Sequence, residues 1–372
     1  MKFIKPNFKK NIVNISATFA EYLGAENKNH TLKILNKELK KDYKNIVFII
    51  FDGMGINPLK INLNNNDFLR SNIKDTLTST FPSTTTNATT TLLTNKYPLE
   101  HGWLAWSVYF EEIGRAIDIY LSQDSYTKEK IDESFVFNRL PINAYYENTK
   151  TDYTINRLVP PYFKDGLKDN RYNFEETDDM FKYIKEICDK DGKQFIYSYS
   201  PEPDHTMHEE GVSSKKAKEV IIDLNKKISK LAKETKDTLF VITADHGQTD
   251  VAGYINIYEN KEIMELLKVK PYLEPRATAF KIKEGKEKEF IKLFNKYYGK
   301  DFKLFKSEKL LKNNYFGVKN GENKVFLADY IAVCKTNKVF RFSENSHYFK
   351  GHHTSLGKEM QVPLIIYGNK GE

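Results

Sequence analysis

Carboxylates and histidines recur at short spacings in four places along this chain of 372 residues. The positions are Asp52 in FDGMG, Asp204 and His208 in PDHTMH, Asp245 and His246 in ADHG, and His352 and His353 in GHHTS. Imidazole and carboxylate together are the usual ligands of Zn²⁺ where no cysteine is offered. Each motif alone also fits a turn, a helix cap or a solvated loop. The prediction of a metal centre therefore rests on their combination in one chain.

A possible nucleophile lies in the segment 76–102, TLTSTFPSTTTNATTTLLTNKYPLEHG, which is crowded with hydroxyl side chains. The segment also fits a β-favouring stretch followed by a capped helix. A helix that begins near residues 83–86 would present its N-terminal N–H groups to an anion. A threonine hydroxyl that touches a metal there ionises more readily and becomes a nucleophile. The residues alone leave Thr84, Thr85 and Thr86 open for this role.

Four continuous apolar runs precede or follow these motifs and predict the strands that position them. They occupy residues 45–51, 194–200, 238–244 and 362–368. Such runs are typical of strands buried on both faces, as in parallel sheets. Helical patterns at 173–190 and 213–235 alternate with them, which predicts a doubly wound, mostly parallel α/β sheet. The functional crevice of such a sheet lies at the carboxyl ends of its strands, where three of the motifs stand.

The predicted organisation has three parts. We expect an N-terminal helical segment packed on the core (1–44), an α/β catalytic core (45–249 and 341–372) and a small α+β cap insertion (250–340). The cap is inferred from a strand pattern, a helical pattern and a strand pair at 276–282, 284–299 and 322–340. No stretch approaches the roughly 18–20 apolar residues that cross a bilayer, and no signal-peptide pattern is evident. We therefore expect a cytoplasmic protein without membrane association.

The net charge of +8 raises the hypothesis of nucleic-acid binding, and the distribution of basic residues argues against it. Arginine, the residue best suited to forked phosphate contacts, supplies only seven of the 58 basic side chains. The lysines are spread along the whole chain, so we expect a solvated surface and no stable nucleic-acid complex. A positive field would still attract a small phosphorylated substrate. Cys188 and Cys334 lack a second cysteine at metal-ligand spacing and are expected to be buried thiols.

From about residue 45 to the end, the chain resembles the alkaline phosphatase superfamily and, within it, the type I phosphodiesterase/nucleotide pyrophosphatase family. The matching segments are FDGMG, FPSTTTNATTTLLTNKYPLEHG, PDHTMH, ADHG and GHHTSLGKEMQVPLI. The resemblance implies two divalent ions about 4 Å apart, typically Zn²⁺ with Mn²⁺ as the alternative. It implies one ion held by Asp52, Thr85, Asp245 and His246, and another held by Asp204, His208 and His353.

The same resemblance selects between the residues that the motifs alone leave open. Thr85 follows Phe81-Pro82 as the family's nucleophile does, and the family's Gly-x-His pattern favours His353 over His352. The later family positions are occupied by Thr94, Tyr97-Pro98 and His101-Gly102. The implied mechanism is an in-line attack of Thr85 on phosphorus, followed by hydrolysis of the covalent phospho-threonine by water.

Substrate contacts are less clearly indicated. Trp106 stands where the family usually has an asparagine that steadies a phosphate oxygen, and Asn87 is the alternative contact. Tyr162 and Phe163 are candidates to stack on a base. No arginine adjoins the predicted nucleophile, although Arg157 or Arg276 would supply positive charge if either reached the site.

These features favour a metal-dependent phosphodiesterase or nucleotide pyrophosphatase that acts on a small, nucleotide-like substrate. A phosphomonoesterase or phosphonate hydrolase on the same two-metal core is one alternative. An inactive protein that binds phosphorylated ligands is another, although the complete ligand set argues against it. The oligomeric state is left open.

Overall fold

The computed structural model describes residues 2–147, 149–163, 167, 169–318 and 321–371. Within these residues, two seven-stranded sheets form the framework. The strands of the first sheet, in spatial order, are β2 (Ile73–Thr78), β18 (Gln361–Asn369), β9 (Thr238–Thr243), β1 (Asn45–Phe51), β8 (Lys193–Ser200), β6 (Tyr153–Val159) and β7 (Arg171–Asn173). Strands β9, β1, β8, β6 and β7 pair in parallel, whereas β18 is antiparallel to both of its neighbours. The predicted α/β fold with a mostly parallel sheet is confirmed.

The four predicted apolar runs form the central part of this sheet. Every residue of β1 is buried, because helices or loops cover both faces of the sheet at its centre. The helices of the described residues are α1 (Val13–Tyr22), α2 (Lys33–Leu39), α3 (Ile56–Asn62), α4 (Phe68–Ser71), α5 (Thr85–Thr94), α6 (Pro98–His101), α7 (Glu133–Arg139), α8 (Thr177–Cys188), α9 (Asp204–Glu210), α10 (Lys215–Glu234), α11 (Lys261–Met264), α12 (Glu287–Tyr298) and α13 (Ser307–Lys312). The predicted helices at 173–190 and 213–235 correspond to α8 and α10.

The N-terminal segment 1–44, which the sequence predicts to be helical, contains two short helices, α1 and α2. Helix α1 ends before Gly24, whose φ of +79° is in the left-handed region that glycine tolerates best. The polar stretch 27–29 then separates α1 from α2. On α1, Phe19 packs against Phe48 and Phe195 with ring centroids 5.2 Å away in both cases. This helix therefore covers the first sheet directly.

The second sheet is antiparallel and draws strands from two distant parts of the chain. Its strands, in spatial order, are β14 (Phe302–Lys306), β15 (Tyr330–Cys334), β13 (Ala277–Phe280), β12 (Tyr272–Glu274), β3 (Ser107–Phe110), β4 (Arg115–Asp118) and β5 (Gln123–Asp124). Strands β3–β5 come from the segment assigned above to the catalytic core, and they join the sheet because β3 pairs with β12. The division of the chain into core and cap stays a prediction.

Two short strand pairs connect the two sheets. They are β10 (Thr249–Asp250) with β17 (Gly351–His352), and β11 (Gly253–Asn256) with β16 (Lys338–Arg341). The strand pair predicted over 322–340 corresponds to β15 and β16, which pair with other strands and not with each other. Both cysteines are buried and free. Among the described residues, no helix is long and apolar enough to cross a membrane.

The packing of α1 on the first sheet leads to a stability prediction. We expect Phe19→Ala to lower the free energy of unfolding by about 3–5 kcal/mol, because it leaves a cavity between α1 and two strands. The control Ile34→Ala changes a residue of α2 that is 38% exposed, and it should cost no more than about 0.5 kcal/mol. Urea unfolding of both variants checks this, and equal losses would contradict the proposed packing role of α1.

Candidate metal centre and active site

The carboxyl ends of three adjacent strands bring three aspartates together. Asp52 follows β1, Asp204 begins α9 just after β8, and Asp245 follows β9. The Asp52 N–H donates to Ser200 O (2.9 Å), and the Asp204 N–H donates to Asp52 O (3.1 Å), which joins the loops after β1 and β8. All three aspartates are at most 8% exposed. Adjacent parallel strands thus create a dense cluster of buried carboxylates.

Helix α5 places the predicted nucleophile at this cluster. Thr85 is the first residue of the helix, and its Oγ1 lies 3.2 Å from Asp52 Oδ2 and 3.2 Å from His246 Nε2. Three hydroxyls of this helix donate to carbonyls one turn earlier, as where Thr89 Oγ1 donates to Thr85 O at 2.7 Å. This bonding lets a threonine-rich helix be buried beside the sheet. Its N-terminus, which favours negative charge, then faces the cluster.

Three of the predicted histidine ligands share one hydrogen-bonding arrangement. Their Nδ1 atoms donate to backbone carbonyls, from His208 to Gly351 O (2.8 Å), from His246 to Gly247 O (3.1 Å) and from His353 to Ser83 O (3.0 Å). A carbonyl oxygen can only accept, so each Nδ1 carries a proton, and in the neutral ring each Nε2 keeps the lone pair that a metal would bind. This orientation is the one that metal-ligating histidines usually have.

His352 has the opposite arrangement. Its Nδ1 accepts the N–H of His353 at 2.9 Å, so its Nε2 carries the proton and offers no lone pair. This Nε2 is buried and has no hydrogen-bond partner among the described residues. Burial and nearby positive groups lower the pKa of both rings well below the usual histidine value, which keeps them neutral. The geometry therefore favours His353 as the ligand of this pair.

Two groups of donor residues are compact enough to hold an ion. Within each group the donor atoms lie within 4.8 Å of one another, and the groups are Asp52 with Asp245 and His246, and Asp204 with His246 and His353. His208 adjoins the second group, with its Nε2 3.2 Å from Asp204 Oδ2. Buried Asp245 Oδ2 has no hydrogen-bond partner among the described residues, as expected for an atom that a cation completes. This set of carboxylate oxygens and imidazole nitrogens fits Zn²⁺ or Mn²⁺.

The carboxylates perturb one another strongly. Burial, together with the neighbouring carboxylates, raises the pKa of Asp52 well above its usual range and that of Asp245 to about 7. Burial opposes ionisation of Asp204 as well, but His208 and His246 outweigh it and lower the pKa of Asp204 to about 2. Conversely, burial lowers the pKa of His208, but the attraction and hydrogen bond of Asp204 outweigh this effect and raise the pKa of that ring. A cation bound among these groups would relieve the repulsion.

Several supporting residues were missed by the sequence analysis. The Tyr199 hydroxyl donates to Asp52 Oδ2, and Gln248 Nε2 donates to Asp204 Oδ1. Gly53 has a φ of +68°, and a Cβ there would lie 2.6 Å from Asp204 Oδ1, so the close approach of the two loops requires glycine. Gln248 could have been inferred because it follows the Asp-His-Gly motif directly. Tyr199 could not, because it lies within a strand whose pattern indicates only core.

A cleft with two arms opens at Thr85. The aromatic arm has a volume of about 400 Å³. Its walls include Trp106, Tyr120, Leu121, Tyr162, Phe163 and Tyr199. Phe163 packs against Tyr120 and Tyr199, with ring centroids 5.3 and 5.0 Å away, while Tyr162 remains 64% exposed. This arm therefore combines a packed aromatic wall with an exposed ring at its edge.

The second arm, here called the histidine arm, has a volume of about 300 Å³. Its walls include Thr84, Glu274, Pro275, Phe349, His352 and His353. Both arms also border Thr85, Trp106, Asp204 and His208. Thr85 therefore lies where the two arms meet.

The cleft does not include every residue that the sequence suggested. Asn87 is fully buried, donates its amide to Pro82 O (3.1 Å) and is absent from the described walls of both arms. Arg157 is buried and pairs with Asp169. Arg276 is buried behind the late histidines, where its Nη1 donates to His352 O at 3.2 Å and lies 3.0 Å from Glu359 Oε1. Neither arginine is among the described residues that line the arms.

Comparisons with known proteins agree with this architecture. The structure is similar to murine ectonucleotide pyrophosphatase/phosphodiesterase 5, inactive and in complex with AMP, with a TM-score of 0.61 and 19% identity over 87% of each chain. The human form of that protein gives a TM-score of 0.62 and 18% identity, also over 87% of each chain. At this identity, the similarity shows a shared fold. No curated protein matches the chain significantly.

The family comparison is more specific, because it covers most of the sequence. The family model described as type I phosphodiesterase/nucleotide pyrophosphatase matches residues 46–356. This range contains Thr85 and all six aspartate and histidine residues of the candidate centre. The chain therefore belongs to the type I phosphodiesterase/nucleotide pyrophosphatase family and is a phosphoric diester hydrolase.

Proposed function

We propose that the chain hydrolyses phosphodiester or phosphoanhydride bonds of a nucleotide-like substrate through a covalent phospho-threonine at Thr85. The observation that carries this proposal is the position of Thr85 Oγ1, within 3.2 Å of both Asp52 and His246 at the start of a helix. A hydroxyl in this position can lose its proton to a neighbouring acceptor and then attack phosphorus. The N-terminus of α5 stabilises the negative charge that develops there.

We further propose that the six aspartates and histidines hold two divalent ions. One ion would be bound by Asp52, Asp245, His246 and Thr85, and the other by Asp204, His208 and His353. Bound ions would act as Lewis acids for the attacking and leaving oxygens. The protein contributes the fixed Nε2 lone pairs and the Tyr199 and Gln248 hydrogen bonds that orient two of the carboxylates.

A nucleotide-like substrate is supported by the shape of the cleft. Trp106, Tyr162 and Phe163 line the aromatic arm, where a base would stack on at least one exposed ring. The similar murine protein was captured with AMP, which fits a ligand of this class. Asn87 was predicted from the sequence as the alternative phosphate contact. Its complete burial argues against a direct contact with substrate.

A phosphodiester is favoured over a phosphomonoester because no lysine or arginine of the described residues lines the cleft. A phosphomonoester dianion carries one more negative charge than a diester, and sites that favour it generally add a cation beyond the two metals. Arg157 and Arg276 are both engaged with carboxylates elsewhere.

The first prediction concerns metal dependence. Gently purified protein should contain about two Zn²⁺ or Mn²⁺ per chain and cleave bis-p-nitrophenyl phosphate faster than p-nitrophenyl phosphate. Removal of metal by a chelator should abolish turnover, and added Zn²⁺ should restore it. Elemental analysis and kcat/KM for both esters check this. Full activity without metal would refute the proposal, and two bound ions without any turnover would indicate an inactive binding protein.

Removal of the nucleophile gives the second prediction. Thr85→Ala should lower kcat at least about a thousandfold while the bound metal is largely kept, because only the attacking oxygen is lost. Thr85→Ser keeps a hydroxyl and should retain partial activity. A fully active Thr85→Ala, together with an inactive Thr84→Ala or Thr86→Ala, would transfer the role to that neighbour.

The two late histidines provide a matched pair for the third prediction. His353→Ala should weaken binding of one of the two ions at least about tenfold, because it removes a free Nε2 lone pair. His352→Ala should retain both ions, since its Nε2 carries the proton. Titration with Zn²⁺ against a chromophoric chelator measures both variants, and the reverse order would assign the ligand role to His352.

A further inference from the structure

One buried carboxylate at the cleft has no role in the mechanism proposed above. Glu274, the last residue of β12, lines the histidine arm beside Thr84 and Thr85 and is only 3% exposed. Its Oε1 accepts the backbone N–H of Trp106 at 2.7 Å, and the Thr84 side chain also bonds to it. Burial raises the pKa of this carboxyl to about 7. A buried carboxylate beside the proposed phosphate site is electrostatically unfavourable, because its negative charge repels the phosphate.

The backbone holds Glu274 in this place at the expense of local strain. The preceding residue, Leu273, has a φ of +71°, a region that a leucine rarely adopts, and it is 1% exposed. Leu273 also pairs β12 with β3, where it lies opposite Ser107. Strained residues of this kind persist where the surrounding structure determines them, and they cluster at functional sites. The carboxylate is therefore directed to the histidine arm by the fold.

The carboxylate of Glu274 adds to the negative charge of the cleft. If two divalent ions were bound as proposed, the three aspartates and an ionised Thr85 would balance their positive charge. Glu274 adds a negative charge beyond that balance, and among the described residues neither arm is lined by a lysine or arginine. In a poorly solvated cleft, this charge repels an anion more strongly than it would in water. The repulsion is larger for a dianion than for a monoanion.

We propose that Glu274 is a specificity-determining residue, whose carboxylate disfavours doubly charged phosphomonoesters and so selects singly charged phosphodiesters. The inference rests on the function proposed above and assigns its substrate preference to one residue. Discrimination by a repulsive group is an established way to separate similar ligands, because it penalises only the wrong one. The hydrogen bond from Trp106, which lines both arms, holds the carboxylate of Glu274 in the histidine arm.

The test compares two esters that differ by one methyl group and one charge, p-nitrophenyl phosphate and methyl p-nitrophenyl phosphate. Both are assayed at alkaline pH, where the carboxyl is ionised. In Glu274→Gln, the diester-to-monoester ratio of kcat/KM should fall at least about tenfold from that of the wild type, because the charge is lost. The amide oxygen of glutamine can still accept the Trp106 N–H. Glu274→Asp keeps the charge and should keep most of the preference.

A binding measurement separates charge selection from effects on the chemical step. In the Thr85→Ala background, Glu274→Gln should tighten binding of the monoester at least about tenfold more than binding of the diester, as measured by calorimetry. The control Glu284→Gln removes one exposed negative charge outside the cleft and should leave both ratios unchanged. If Glu274→Gln does not fold, Glu274→Ala is used with the same expectation.

The outcomes distinguish the two proposals. Absence of hydrolysis of any ester by the metal-loaded wild type would refute the proposed function. Active wild type and Glu274→Gln with the same ester ratio and the same relative affinities would overturn only the role of Glu274. A loss of preference in Glu274→Asp as large as that in Glu274→Gln would also overturn it, because the position of the group and not its charge would then be responsible.

Discussion

The constraint on which the rest of the site depends is the electrostatic repulsion among three buried carboxylates, those of Asp52, Asp204 and Asp245. Adjacent parallel strands end at the same edge, so an aspartate after each of them produces this crowding. Burial removes the water that would otherwise screen the charges, and the raised pKa values of Asp52 and Asp245 express the cost. Groups that donate hydrogen bonds to these carboxylates reduce part of this electrostatic cost. The tightly held Tyr199 and Gln248 contacts and the nearby imidazoles are explained by this requirement.

Residues of the second sheet line the cleft and also hold the backbone of the late histidines in place. Arg276, just before β13, is buried against Glu359 and donates to the carbonyl of His352, which fixes the backbone that carries His353. Ser83 O accepts both the His353 Nδ1–H and the Thr354 N–H, so the same loop is tied to the segment before Thr85. A displacement of either sheet would therefore move a predicted metal ligand. This coupling explains why residues far apart in sequence form one centre.

Much of this arrangement could be predicted from the sequence, because its signals are local. Continuous apolar runs identified the central strands, and each motif lies within a few residues of a strand end. The partners of the second sheet could not be predicted, because pairing between β3 and β12 depends on a contact between residues that are nearly half the chain apart. Glu274 was missed because an isolated acidic residue in a short strand belongs to no motif whose spacing indicates a site. Arg276 was considered as a substrate contact, but its position depends on burial that the sequence pattern does not reveal.

The most direct test of the two-metal centre is anomalous diffraction at the zinc edge from crystals of the chain grown with Zn²⁺. The account predicts two peaks about 4 Å apart, one beside Asp52, Asp245, His246 and Thr85 and the other beside Asp204, His208 and His353. Ligand distances should be about 2.0–2.2 Å. A single peak, or a second peak whose late imidazole ligand is His352, would contradict it.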